Sequence, residues 1–245
     1  MARKTRVLTK TEAVARVNSI YPVVLRETKL ALEVEAVMES ANDFVRGNID
    51  GTTFDGARAY NIVSRTLAAQ LALIVAKLFE QPRTRGKQTL NDRLNRSEVA
   101  SIPLLLRLMR QKRIRSHFGA LARDWNFPDM AGLNERSALR AIDEALSIWS
   151  RARSSARLRL ALRRVSAFRN EVVAHALVTS PTLTPIYDDL RILVDAARDI
   201  VEKASLGIAG DNSDLREREH ILREDADDFW RPALLAVSGK ESELS

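Results

Sequence analysis

The chain contains no cysteine and only three histidines in 245 residues. Disulfides, thiolate metal sites and cysteine nucleophiles are therefore excluded. The histidines, His117, His175 and His220, lie far apart, with no H-E-x-x-H spacing, so no zinc site is expected and no metal or other cofactor is called for. Glycine and proline are also scarce, at 9 and 7 residues, and aromatics make up 5%. That balance disfavours a loop-rich β fold and favours helices. The most apolar stretch, Leu67 to Phe79, is shorter than a bilayer span and carries Gln70 and Lys77, so no membrane partner is expected. The opening Met1-Ala2-Arg3-Lys4-Thr5-Arg6 lacks an apolar core, so it does not read as a signal peptide and a cytoplasmic location is expected.

What is present is apolar mass and positive charge. Hydrophobic residues reach 45% and charged residues 29%, with a net charge of +7. The excess of cations serves solubility or a polyanion partner such as RNA. Helical periodicity recurs along the chain. One segment runs from Pro22, read as a first-turn proline, to about Val45, and a second from about Phe54 to Glu80. A third is expected from Ser97, as N-cap, to about His117, with Pro103 delaying or kinking it. Asn134 is read as the cap of a long helical region reaching Leu177, which Ser154-Ser155 divides. Thr184-Pro185 restarts a helix that ends near Gly207 and Gly210. There is no internal repeat, glycine-rich phosphate loop or βαβ alternation. The expected fold is all-α, an antiparallel helical bundle over 1–210, followed by a charged C-terminal helix and tail over 211–245. In that tail Leu215, Leu222, Ala226 and Phe229 share a helical face.

Taken as one helix, Leu158 to Leu177 sets Leu158, Leu162, Val165 and Val172 on a stripe. Arg157 and Arg164 flank the stripe on one side, and Arg159 and Arg163 on the other. Arg169 falls about 20° from Leu158, on the stripe itself. A guanidinium cannot shed its charge, so Arg169 must meet a carboxylate, carbonyls, water or an anionic ligand. His175 falls on the flank shared with Arg157 and Arg164, where neighbouring cations favour its neutral form, the form of a general base. The bland alternative pairs Arg169 with Glu35, Glu39 or Asp195 and sets His175 on a helix carbonyl. His117 reads as a charge at a helix end, and His220 as a surface residue.

The segment Arg169-Asn170-Glu171-Val172-Val173-Ala174-His175 resembles the R-x(4–6)-H signature of HEPN domains, in the R-N/D-x-x-x-A-H form. More narrowly, residues 15 to 205 resemble the abortive-infection AbiU-type branch. That likeness includes Tyr60-Asn61 to Phe79-Glu80 with its Arg65-Thr66-Leu67, the Leu104 to Met109 run, and the Ala-His element. The resemblance implies a metal-independent endoribonuclease in which the RNA 2′-hydroxyl attacks the adjacent phosphate. His175 would be the general base or acid, Arg169 would stabilise the phosphorane oxygens, and Asn170 would orient the phosphate or His175. Arg157 and Arg164 would bind RNA. Glu171 departs from the basic residue often found there. On a straight helix Arg169 and His175 stand about 120° and about 9 Å apart. The family resolves such spacing with motifs facing across a homodimer, so a homodimer burying part of the Leu158–Val172 face is expected. A toxin or phage-defence role with an antitoxin partner follows from the same likeness. The competing expectation is a non-catalytic HEPN module that binds RNA, nucleotide or a partner protein.

Overall fold

In the computed structural model, residues 8–48, 54–81, 99–125, 128–170 and 185–238 are described, and every regular element among them is a helix. Helix α1, Lys10–Asn48, starts with a reciprocal cap: Glu12 N–H donates to Thr9 Oγ1 at 3.2 Å, and Thr9 N–H donates to the Glu12 carboxylate at 2.8 Å. Pro22 is interior to this helix and does not open it. The apolar spacing Ala13, Val17, Ile20 and Val24 runs straight through the proline. Its burial outweighs the hydrogen bond that Pro22 cannot donate.

Helix α2 spans Ala57–Leu78. By length and composition it is apolar enough to cross a membrane, and its second half, with Leu71, Ile74, Val75 and Leu78, is buried in the core. Phe79, just past its end, stacks on Trp149 at 5.8 Å. Ser97 lies outside the described residues. The next helix, α3, spans Ile102–Met109 with Pro103 in its first turn, where a missing N–H costs nothing. The chain breaks at Arg110-Gln111 and continues as α4, Lys112–Ala122. His117 is therefore inside α4, edge-on to Phe118 at 5.4 Å, and not at a helix end.

A 3-10 turn, Pro128–Met130, leads into α5, Ala131–Ser154. Asn134 thus sits in the first turn, four residues beyond the N-cap Met130. The break at Ser154-Ser155 is present as expected. Ser155 Oγ accepts a hydrogen bond from Leu158 N–H at 3.3 Å and starts α6, Ala156–Phe168. Helix α7, Tyr187–Ala209, follows Pro185 and Ile186 and ends at Gly210. Gly210 adopts φ 69°, the left-handed C-terminal turn that glycine tolerates. One turn earlier, a Cβ on Gly207 would come within 2.6 Å of Ile142 Cγ1, so its absence lets α7 lie close on α5. The inner face of α7, including Leu193, Val194, Ala197, Ile200 and Val201, is fully buried at the centre of the bundle.

The charged C-terminal segment forms α8, Leu215–Ser238, which packs along α1. Arg218 meets Glu33 at 2.7 Å, and Trp230 Nε1 donates to the Val37 carbonyl at 2.9 Å. Leu215, Ala226 and Leu234 are buried there, whereas Phe229 is 65% exposed. Trp230, not Phe229, turns toward α1, because its indole N–H finds a carbonyl partner.

Candidate functional site

The last turn of α6 determines where Arg169 and Asn170 stand. Leu158, Ala161 and Val165 are buried, so this face of α6 is fixed against α7 and α2 of the same chain. Hence the Leu158–Val165 part of the stripe is core, and it is not an open surface for a second copy. The stripe emerges where α2 ends. At residues 169–170 the helix widens into a π-type turn, with Arg169 keeping right-handed helical angles of φ −57° and ψ −44°.

Arg169 is not sealed in the core. Its Nη1 lies 3.3 Å from Glu80 Oε1, with the two side chains 34% and 39% exposed. The acids considered from sequence are engaged elsewhere: Glu39 with Arg46 at 3.6 Å and Asp195 with Arg198 at 2.9 Å. Glu35 is buried with no hydrogen-bond partner on Oε1 among the described residues, and burial pushes its carboxyl up to about 7. After burial, the largest cause of that rise, Glu219 contributes most, with Asp195 and Glu39 adding to it and Arg223 opposing it.

Arg169 and Asn170 share one wall of an open groove of about 560 Å³ with Arg163 and Ser166. The end of α2, at Phe79, Glu80 and Gln81, forms the opposite wall. Asn170 lies about one and two turns beyond Ser166 and Arg163 on the same helical face. The structure therefore brings Arg169 and Asn170 together, while His175 lies outside the described residues. A partly exposed guanidinium beside a side-chain amide in an open groove is suited to hold a phosphate by charge-assisted hydrogen bonds.

Arg157 and Arg164 stand elsewhere, at the start of α7. Arg157 pairs with Asp188 at 3.0 Å. Arg164 pairs with buried Asp189 at 3.1 Å, and Asp189 also accepts the N–H of Ile186 at 3.1 Å. Both arginines thus tie α6 to the first turn of α7 and neutralise acids there. Sequence reasoning missed Glu80 and Arg163. The available signal for Glu80 was an acid closing the most apolar helix. Arg163 was set on a flank of the stripe, with no indication that the flank formed a groove wall. Among the described residues no group of three or more His, Asp or Glu side chains is arranged to hold a metal ion.

Comparison with known proteins agrees with this picture at the level of family. No curated protein and no solved structure matches the chain. The AbiU2 HEPN family matches residues 53–229, a span that takes in α2, both walls of the groove and most of α8. The chain belongs to this abortive-infection-related AbiU2 family of HEPN-domain proteins.

Proposed function

We propose that the chain is a metal-independent endoribonuclease whose active groove is the one bearing Arg169 and Asn170. The observation that carries this reading is their joint presence on the wall of an open groove, in a segment that reads as the family's Arg-Asn…Ala-His element. In the proposed reaction the RNA 2′-oxygen attacks the adjacent phosphorus, the 2′-O–P bond forms and the bond from phosphorus to the 5′-oxygen breaks. The products are a 2′,3′-cyclic phosphate and a 5′-hydroxyl. His175 takes the proton from the 2′-hydroxyl or returns one to the leaving 5′-oxygen. Arg169 stabilises the negative charge that grows on the non-bridging oxygens, which is why a permanent cation is required there. Asn170 orients the phosphate.

The Arg169–Glu80 pair fits this chemistry as a resting contact. Both groups are partly hydrated, so an incoming phosphate can displace the carboxylate at modest cost. The enzyme would act in the cytoplasm as a homodimer, with an arginine of one copy working beside a histidine of the other. Since the Leu158–Val165 face is already covered, the second copy would approach from the open side of the groove. A toxin or phage-defence role restrained by an antitoxin protein is part of the same proposal. Cleavage assayed with end-group analysis tests it: cyclic phosphate ends lost in Arg169→Ala support the reading, and 3′-hydroxyl ends contradict it.

One observation favours a second reading. Glu80 already neutralises Arg169, and Glu171 adds another acid to the motif. A non-catalytic module binding RNA, nucleotide or a protein would keep this charge balance and need no general base. Under that reading His175→Ala leaves every activity unchanged.

A further inference from the structure

A second groove, of about 500 Å³, lies beside the first and shares Gln81 with it. The Phe79–Trp149 stack separates their floors: Phe79 lines the Arg169 groove and Trp149 the neighbouring one. One wall is the face of α3 carrying Pro103, Leu106 and Arg107, with Arg110 just past its end. The other is the face of α5 carrying Leu146, Trp149 and Arg153. Among the described residues no carboxylate lines it. Arg107, Arg110 and Arg153 are exposed, and none has an acid partner among the described residues. The same holds for Arg163 in the first groove, whereas Arg115, Arg140, Arg157, Arg164 and Arg198 are all paired. Arg153 is also pre-positioned, with its guanidinium 5.9 Å from the centre of the Trp149 ring.

Three unpaired guanidiniums converging on one concavity repel one another, an arrangement that favours a polyanionic ligand with repeated charges. Guanidiniums hold phosphate oxygens in bidentate fashion. We infer that the groove of Arg107, Arg110 and Arg153 is a backbone-binding subsite for single-stranded RNA, continuing past Gln81 the track that begins at Arg163 and Arg169. This rests on the nuclease reading for its choice of RNA. In-line attack by a 2′-hydroxyl requires a strand free to rotate its phosphate, which a duplex restrains. Trp149 is buried, so the subsite grips phosphates through its arginines and leaves the bases unread. Binding there is accordingly independent of sequence and sensitive to salt.

The test uses the full-length protein and a single-stranded RNA 2′-O-methylated throughout, which binds but cannot be cut by 2′-hydroxyl attack. Arg110→Glu with Arg153→Glu is expected to weaken binding about tenfold or more. It should also make the dependence of log K on log salt shallower by about 1.4, the value for two lost phosphate contacts. Arg107→Glu with Arg110→Glu, which leaves the Arg153–Trp149 contact intact, should behave alike. Arg110→Lys with Arg153→Lys should keep most of the affinity. Arg136→Glu with Arg231→Glu makes the same charge change at exposed sites away from the groove, and should cost far less. Equal losses in the groove and control pairs, or no loss in the groove pairs, would overturn the subsite, as would failure of the wild type to bind. Cleavage of unmodified RNA separates the two proposals. Binding through the track without any cutting sinks the nuclease and leaves the subsite standing. Cutting of long RNA by the groove variants at the wild-type kcat/KM sinks the subsite and leaves the nuclease standing.

Discussion

Arg169 Nη1 lies 3.3 Å from Glu80 Oε1, joining the end of α6 to the end of α2 across the mouth of the Arg169–Asn170 groove. The contact joins two of the chain's most informative segments, the Arg-Asn motif and the end of its apolar helix. Its partial exposure makes it a weak structural tie and a candidate gate for anions.

Replacing Glu80 by Gln should therefore change binding more than stability. The melting temperature is expected to stay within a few degrees of wild type, because a pair this exposed contributes about 1 kcal/mol or less. Affinity for RNA should rise several-fold as Arg169 loses its internal competitor. A fall in affinity, measured by fluorescence anisotropy, would mean instead that Glu80 holds Arg169 in its working position.

The two arginines tied to α7 should behave in the opposite way. Asp189 is buried, accepts the Ile186 N–H and pairs with Arg164. Asp189→Ala leaves that arginine and that amide without their partner, at an expected cost of about 2–4 kcal/mol in denaturant unfolding. Arg157→Ala, by contrast, should cost little stability and reduce RNA affinity less than Arg163→Ala does. A larger binding loss at Arg157 would support the expectation from sequence that Arg157 contacts RNA.

Stability should fall as pH rises through the weakly acidic range because of Glu35. Its carboxyl is raised to about 7 in the folded protein, from an ordinary value near 4.5, chiefly by burial. Between those two values the unfolded chain releases the proton before the folded one does, so deprotonation favours unfolding. The effect is absent below about pH 4.5 and complete above about pH 7. Glu35→Gln should therefore stabilise the protein at pH 8 by up to about 3 kcal/mol and have little effect at pH 4.5. Equal changes at both pH values would show that Glu35 ionises normally.

Close approach of α7 to α5 should make Gly207 intolerant of a side chain. A Cβ there would lie 2.6 Å from Ile142 Cγ1 and 3.2 Å from the Ala138 carbonyl. Gly207→Ala is expected to cost about 1–3 kcal/mol through overpacking, read by thermal unfolding. A neutral result would show that the two helices separate easily.

The helical architecture was legible because its signals are local: Ser154-Ser155 divides two helices, Pro185 directly precedes the start of α7, and Gly210 ends it. Pro22 misled because a proline alone signals a first turn, whereas the buried spacing from Ala13 to Val24 is set by packing with distant helices. His117 was misplaced because Arg110-Gln111 breaks the helix without glycine or proline at the break. At the candidate site, the motif drew attention to Arg169 and Asn170, and both line the groove. Glu80 could not be read in the same way. Its link to Arg169 spans 89 positions and depends on where two helices end, which no periodicity records.

The central claim is most directly tested by RNA cleavage in excess EDTA, with the wild type beside His175→Ala. The account predicts metal-independent cutting by the wild type that disappears in a variant still folded and still able to bind RNA. Cutting that persists in His175→Ala, or that requires an added divalent ion, would contradict it.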